Sequence, residues 1–193
     1  MGGPRARQAA VLAAVLAFVP GVARTAAPTP PLFTLSSPAF ADNGVLPLKY
    51  AGGTQCNGAH GGNLSPPLAW SSPPQGTKSF AVVMTDPDGG RGLGSVHWVA
   101  YGIAAARTGL AEGDGAATTP GIIAGKNSRG TIGYSGPCGP PVDAPHHYVI
   151  QVLALDLAPA ALAPGLDRDQ LFKAIAGHSL GPASMVARYR RVD

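Results

Sequence analysis

Two carboxylates, Asp86 and Asp88, stand two positions apart directly after the apolar run Ser79-Phe-Ala-Val-Val-Met-Thr85, and His97 follows shortly. Far along the chain, His146-His-Tyr148 opens a second apolar run that ends at Leu155. Carboxylates accept hydrogen bonds, imidazoles accept, donate or carry charge, and a phenol donates at neutral pH. Facing one spot, such a set could grip an anion, run acid–base hydrolysis, or bind a divalent metal such as zinc or manganese. It could equally be a polar cluster that satisfies itself and holds nothing. No Ser or Cys has an evident base beside it, which argues against nucleophilic catalysis.

The surrounding pattern says what must position these groups. Phe80 to Met84 is apolar without alternation and of strand length, the mark of a strand covered on both faces. Residues two apart in extended chain share a face, so Asp86 and Asp88 are expected to look at the same place. Pro87 between them ends the ladder for want of an N–H, and the glycines from Gly89 to Gly94 let backbone come close to a ligand. A second strand begins near Ser95. Its alternation puts His97, Val99 and Tyr101 on one face and the core filler Trp98 with Ala100 on the other. The run from His146 to Leu155 reads as another central strand, with His146 and Tyr148 on one face and His147 on the other. Gly136-Pro-Cys-Gly-Pro-Pro141 is a stiff, donor-poor loop leading into it. If the strands are neighbours, Asp86, Asp88, His97, His146 and Tyr148 converge on one pocket.

Elsewhere, Leu46 to Tyr50 reads as a short strand, Ala104 to Pro120 as surface loop, and Asn127 as a turn-former. Asp167 is placed to cap a helix over Arg168 to His178, with Leu171, Phe172 and Ile175 at helical spacing, and Ala183 to Tyr189 reads as a further helical turn. Many strands with a late helix predict a mainly β fold, an antiparallel β-sandwich with a few peripheral helices.

In order and spacing, Asp86-Pro-Asp88, His97-Trp98, Gly136-Pro-Cys138 and His146-His-Tyr148 resemble the signature regions of the phosphatidylethanolamine-binding protein family, most closely its bacterial, Raf-kinase-inhibitor-like branch. Asn63-Leu-Ser-Pro-Pro-Leu-Ala-Trp70 and Ala176-Gly-His-Ser-Leu180 are similar to further landmarks of that branch, so the likeness runs from Phe33 to Arg190. The resemblance implies a small anion pocket that accepts phosphate or a phospholipid headgroup. Its residues here would be Asp86, Asp88, His97, His146 and Tyr148, with Gly136 and Pro137 in the wall. The acids would then hold the histidines protonated, since a carboxylate within about 4–6 Å raises an imidazole's pKa. No cofactor or metal is expected on this reading; an Asp/His-based hydrolase or a divalent-metal-binding protein is the alternative. The family is also associated with regulation of other proteins, for which the sequence names no target. Two departures fall at the rim: Gly89-Gly90 stands where Ala-Pro is common, and Gly139 interrupts the usual Cys-Pro-Pro.

At 193 residues the chain is long enough for one well-filled core, and its 27 glycines and 20 prolines favour turns and short strands over long helices. Arg5 and Arg7, the apolar run Ala9 to Val19, the Pro20-Gly21 break and the small residues Thr25-Ala26-Ala27 have the form of an export signal. The apolar run is too short to span a bilayer, and no integral membrane span is expected. Residues 1–27 are therefore read as a signal peptide and 28–193 as a single domain, exported to the periplasm or beyond the cell. Arg5, Arg7 and Arg24 account for three of the 14 basic residues, which leaves 11 against 10 acidic ones. That balance gives no electrostatic reason to bind nucleic acid. In an oxidising compartment Cys56 and Cys138 are candidates for one disulfide worth about 3–4 kcal/mol, the alternative being two separate buried thiols. Zinc is disfavoured by so few sulfur ligands.

Overall fold

The central apolar run is strand β4 (Ser79–Asp86), and its sequence does not alternate because both of its faces are covered. Phe80, Val82 and Met84 pack with Trp70, Trp98, Tyr148 and Ile150, whereas Ala81 and Val83 pack with Val99, Tyr101, Leu171 and Ile175. The period of two is present, but it divides one core from another rather than core from water. Each large side chain so buried contributes about 1.5–3 kcal/mol.

The structure is a computed structural model that describes residues 31–53, 56, 60–139 and 144–191, together with Gly2 and Gly3. The expected signal peptide, apart from those two glycines, lies outside the described residues, as do Pro140 and Pro141. β4 runs between β5 (Ser95–Ala104) and β8 (His146–Leu155) in a six-stranded sheet. β2 (Gly44–Val45), β7 (Ile123–Ala124) and β9 (Ser179–Tyr189) complete it in the order β2-β9-β8-β4-β5-β7. All pairings are antiparallel except the short contact of β2 with β9. A three-stranded sheet of β1 (Thr34–Ser36), β3 (Leu68–Ser71) and β6 (Gly109–Leu110) supplies Leu35, Leu68, Trp70 and Leu110 to the first core. Among the described residues the α-helical elements are a four-residue hook, α1 (Gly89–Gly92), and α2 (Arg168–Ala174), which covers the second core through Leu171. The expected mainly β sandwich with peripheral helices is the fold observed.

Some segments depart from expectation. Leu46 to Tyr50 is not a strand: pairing ends at Val45, Pro47 offers no N–H, and Leu48–Tyr50 close a 3₁₀ turn in which Tyr50 N donates to Pro47 O at 3.0 Å. Ala104 to Pro120 is not all loop, since it holds β6. Ala183 to Tyr189 is strand, not helix. Its buried residues are Ala183, Met185, Ala187 and Tyr189, a period of two imposed by pairing with β8. α2 ends four residues short of His178, and Phe172 lies 40% exposed under the Arg168 guanidinium instead of in the core.

The start of α2 is as expected. Asp167 accepts from Gln170 N at 2.8 Å, and the Gln170 side chain accepts from Asp167 N at 3.0 Å, a reciprocal capping box. Asp167→Ala should cost about 1 kcal/mol. The measurement is the urea midpoint, expected to fall with an unchanged slope; an unmoved midpoint would show that the cap contributes nothing.

Candidate functional site

Strand register brings the polar residues to one end of the large sheet. Thr85 pairs with Val149 and Asp86 with Ser95, so the end of β4 meets the beginnings of β5 and β8. Asp86 is 3% exposed. Its Oδ1 accepts from the backbone N–H of Asp88 at 3.0 Å and of Gly89 at 2.9 Å. Its Oδ2 accepts from His146 Nδ1 at 2.8 Å and lies 3.9 Å from His97 Nε2. The Tyr148 ring meets both imidazoles, edge-on to His97 at 5.2 Å and near parallel to His146 at 6.4 Å. Burial, then the Asp86 charge, push the Tyr148 phenol far above its usual pKa, so it stays an O–H donor.

His97 reaches this cluster through a β-bulge. Met84 pairs with Trp98 and Thr85 with Val96, which leaves His97 as the extra residue of β5 and turns its ring toward Tyr148. Strict alternation would have placed it with Val99 and Tyr101 on the α2 face, and that expectation is corrected here. Ser135 fixes the ring: Ser135 N donates to His97 O at 2.8 Å, and His97 Nδ1 donates to Ser135 O at 2.6 Å. A carbonyl only accepts, so Nδ1 carries the proton. Burial pushes the His97 pKa below the usual imidazole value, against the pull of the Ser135 carbonyl and the Asp86 carboxylate. The expectation that the acids keep this histidine protonated is thus reversed, because desolvation outweighs a carboxylate 3.9 Å away.

Asp88 does not follow Asp86. The chain leaves the extended conformation here, with Asp88 at φ −81° and ψ −18°, and its Oδ2 accepts from His147 N at 2.8 Å and His147 Nδ1 at 2.9 Å. Those bonds, the backbone one first, hold the Asp88 carboxyl below the usual carboxylate range.

A cleft of about 460 Å³ has Asp86, Asp88, His97, His146 and Tyr148 in its lining. It adds two cations that no motif indicated, Arg91 and Arg129. Arg91 sits in the α1 hook, where Gly90 and Arg91 are both left-handed, at φ 58° and 61°. For a residue with a side chain that backbone costs on the order of 1 kcal/mol. Arg129 is aimed by Asn127, whose Oδ1 accepts from Arg129 N at 2.9 Å and whose Nδ2 donates to Gly133 O at 2.9 Å. Its Nη2 lies 3.6 Å from Cys56 Sγ. Gly136 and Pro137 are absent from the lining. They serve a loop contact instead: Gly136 N donates to Asn63 Oδ1 at 2.9 Å, and Gly52 N donates to Pro137 O at 2.7 Å. Cys138, joined to Cys56 by a disulfide, and Gly139 take their place.

The sequence profile of the phosphatidylethanolamine-binding protein family matches residues 36–190. The chain belongs to that family. The UPF0098 protein of Methanothermobacter thermautotrophicus is 37% identical over 159 residues, covering 81% of this chain and 98% of its own. A putative lipoprotein of Mycobacterium tuberculosis, LppC, is 38% identical over 167 residues, covering 86% and 77%. The crystal structure of Escherichia coli YbcL, described as a member of the mammalian PEBP family, matches with a TM-score of 0.75 at 30% identity, covering 83% of this chain and 99% of that one.

Among the described residues no three of His, Cys, Asp and Glu gather closely enough to share a metal ion. Gly177-His-Ser-Leu-Gly181 is an exception to the expectation that no serine has a base beside it and has the spacing of a nucleophile elbow, but Ser179 opens β9 opposite Leu155 rather than a strand-to-helix turn. It lies at the far end of the sheet from the cleft, and its neighbour His178 is bonded to Asp156 at 2.8 Å. A more open groove of about 560 Å³ adjoins across Ser95 and Val96, but no histidine and no tyrosine lines it.

Proposed function

We propose that this PEBP-family chain is an exported binding protein whose cleft holds a small phosphate-bearing ligand, either phosphate or a phospholipid-headgroup-like group. The observation that supports this most is a rim with two arginines above a floor whose acids are already committed. Asp86 is engaged by Asp88 N, Gly89 N and His146, and Asp88 by His147. Their charge is spent on protein donors, while the guanidinium forks of Arg91 and Arg129 suit phosphate oxygens. Affinity for an isolated phosphate should be modest, because little apolar surface is buried.

Export is supported by the positive, then apolar, then small-residue pattern of residues 1–27. The disulfide supports it too, since such bonds persist in oxidising compartments. No helix among the described residues is long and apolar enough to cross a membrane.

Titration with inorganic phosphate should raise the melting temperature of the wild type. His146→Ala should remove that response. Arg129→Ala should weaken the affinity by about tenfold or more, since a hydrogen bond to a charged group contributes about 1.5–3 kcal/mol. Undiminished stabilisation in both variants would end this reading.

A further inference from the structure

Two acceptors face each other on the floor of the cleft. His97 Nδ1 is committed to the Ser135 carbonyl, so the neutral ring presents Nε2 as a lone pair. That lone pair lies 3.9 Å from Asp86 Oδ2, too far for a hydrogen bond and with the wrong partner for one. The bulge and both Ser135 bonds hold the ring, so it does not turn to offer Nδ1 instead. A bare anionic oxygen entering here would meet that lone pair beside a carboxylate oxygen already engaged by His146. A P–O–H would find an acceptor.

We propose that the cleft selects phosphate groups that still carry a proton, with His97 Nε2 accepting that proton's hydrogen bond and Arg91 and Arg129 taking the unprotonated oxygens. The inference rests on the anion reading above and narrows its ligand class to inorganic phosphate and protonated phosphate monoesters. Sulfate resembles phosphate in size and charge but has no proton to offer near neutral pH, and a phosphodiester has none either. Inorganic phosphate keeps one well into the alkaline range, whereas a monoester loses its last near pH ~6. The Ser135 carbonyl keeps the ring proton on Nδ1, and burial, which lowers the His97 pKa, favours Nε2 as the acceptor.

The test is calorimetric titration of the full chain at pH 6.5 and 8.5 with inorganic phosphate, sulfate, methyl phosphate and dimethyl phosphate. Inorganic phosphate should bind at both pH values, and sulfate and dimethyl phosphate at least about tenfold more weakly at both. Methyl phosphate should bind at pH 6.5 and lose more than about tenfold by pH 8.5, following its protonated fraction. The titratable and charged groups facing His97 are Asp86 from β4, His146 and Tyr148 from β8, and Arg129 from the loop after β7. Inorganic phosphate, protonated throughout, controls for their titration. In His97→Gln the fixed lone pair becomes an amide that can turn to donate, and the preference for phosphate over sulfate should collapse to near unity. A preference kept in that variant, or equal binding of sulfate and phosphate by the wild type, would overturn the inference and leave the anion reading standing. No response to any probe would overturn that reading and the inference with it. Should His97→Gln fail to fold, the wild-type pattern across the four probes decides the matter alone.

Discussion

Asp86→Ala should destabilise the protein by about 3–5 kcal/mol, the range for removing one partner of a buried charged contact, and should abolish anion binding in the same step. Asp86 is 3% exposed and its two oxygens accept from Asp88 N, Gly89 N and His146 Nδ1. Without the carboxylate these donors are stranded where water has little access, at about 1–3 kcal/mol for each that stays unpaired. The loss is larger than a list of bonds suggests, because the same oxygens tie the α1 hook to β8. Releasing them frees the left-handed backbone at Arg91 to relax and lets His146 swing away. For a domain of this size the midpoint should fall on the order of 10 °C. Asp86→Asn is the informative partner. Its amide oxygen can still accept both backbone N–H groups, so it should cost only about 1–2 kcal/mol. Thermal melts of the three proteins settle the point: an alanine variant as stable as wild type would mean that the carboxylate does not organise this end of the sheet.

Which parts of that arrangement are legible in the sequence follows from where the information resides. A strand's period of two is local, so His146 and Tyr148 can be assigned to one face, and the unbroken run in β4 identifies the buried centre. His97 can be picked as a site residue, but not given its face. The bulge that turns it depends on pairing with Met84 and Thr85, and nothing in the sequence around His97 marks it. Asp88 lines the cleft but turns its carboxylate to His147 for a local reason: the two-apart rule holds only in extended chain, and the chain bends one residue too soon. Arg91 and Arg129 have no periodicity at all. Each is aimed by loop backbone, one by a left-handed pair and the other by the Asn127 turn, and only the turn-forming chemistry of Asn127 is visible beforehand. β9 is the reverse case, a stretch of Ala, Met, Val and Arg that suits a helix and is drawn into the sheet by ten residues of β8. Propensity there is overridden by a partner distant in sequence.

Cys56→Ser combined with Cys138→Ser should remove about 3–4 kcal/mol of stability while changing phosphate affinity far less than Asp86→Ala does. The two sulfurs close a loop between residues 82 positions apart, so most of their contribution comes from restricting the unfolded chain. The native contact between the two loops has other supports, Gly52 N on Pro137 O and Gly136 N on Asn63 Oδ1. These should keep the wall of the cleft standing when the bridge is absent. What the cleft loses is a fixed Cys138 and the sulfur against which Arg129 rests, which predicts a drop in phosphate affinity smaller than about tenfold. Urea unfolding with and without a thiol reductant separates the two effects. Reductant should move the wild-type midpoint to that of the double variant and leave the variant itself unmoved. A wild-type midpoint indifferent to reductant would show that the bridge contributes no stability. An affinity lost as completely as in Asp86→Ala would show that the loop wall, and not the carboxylate floor, organises the site.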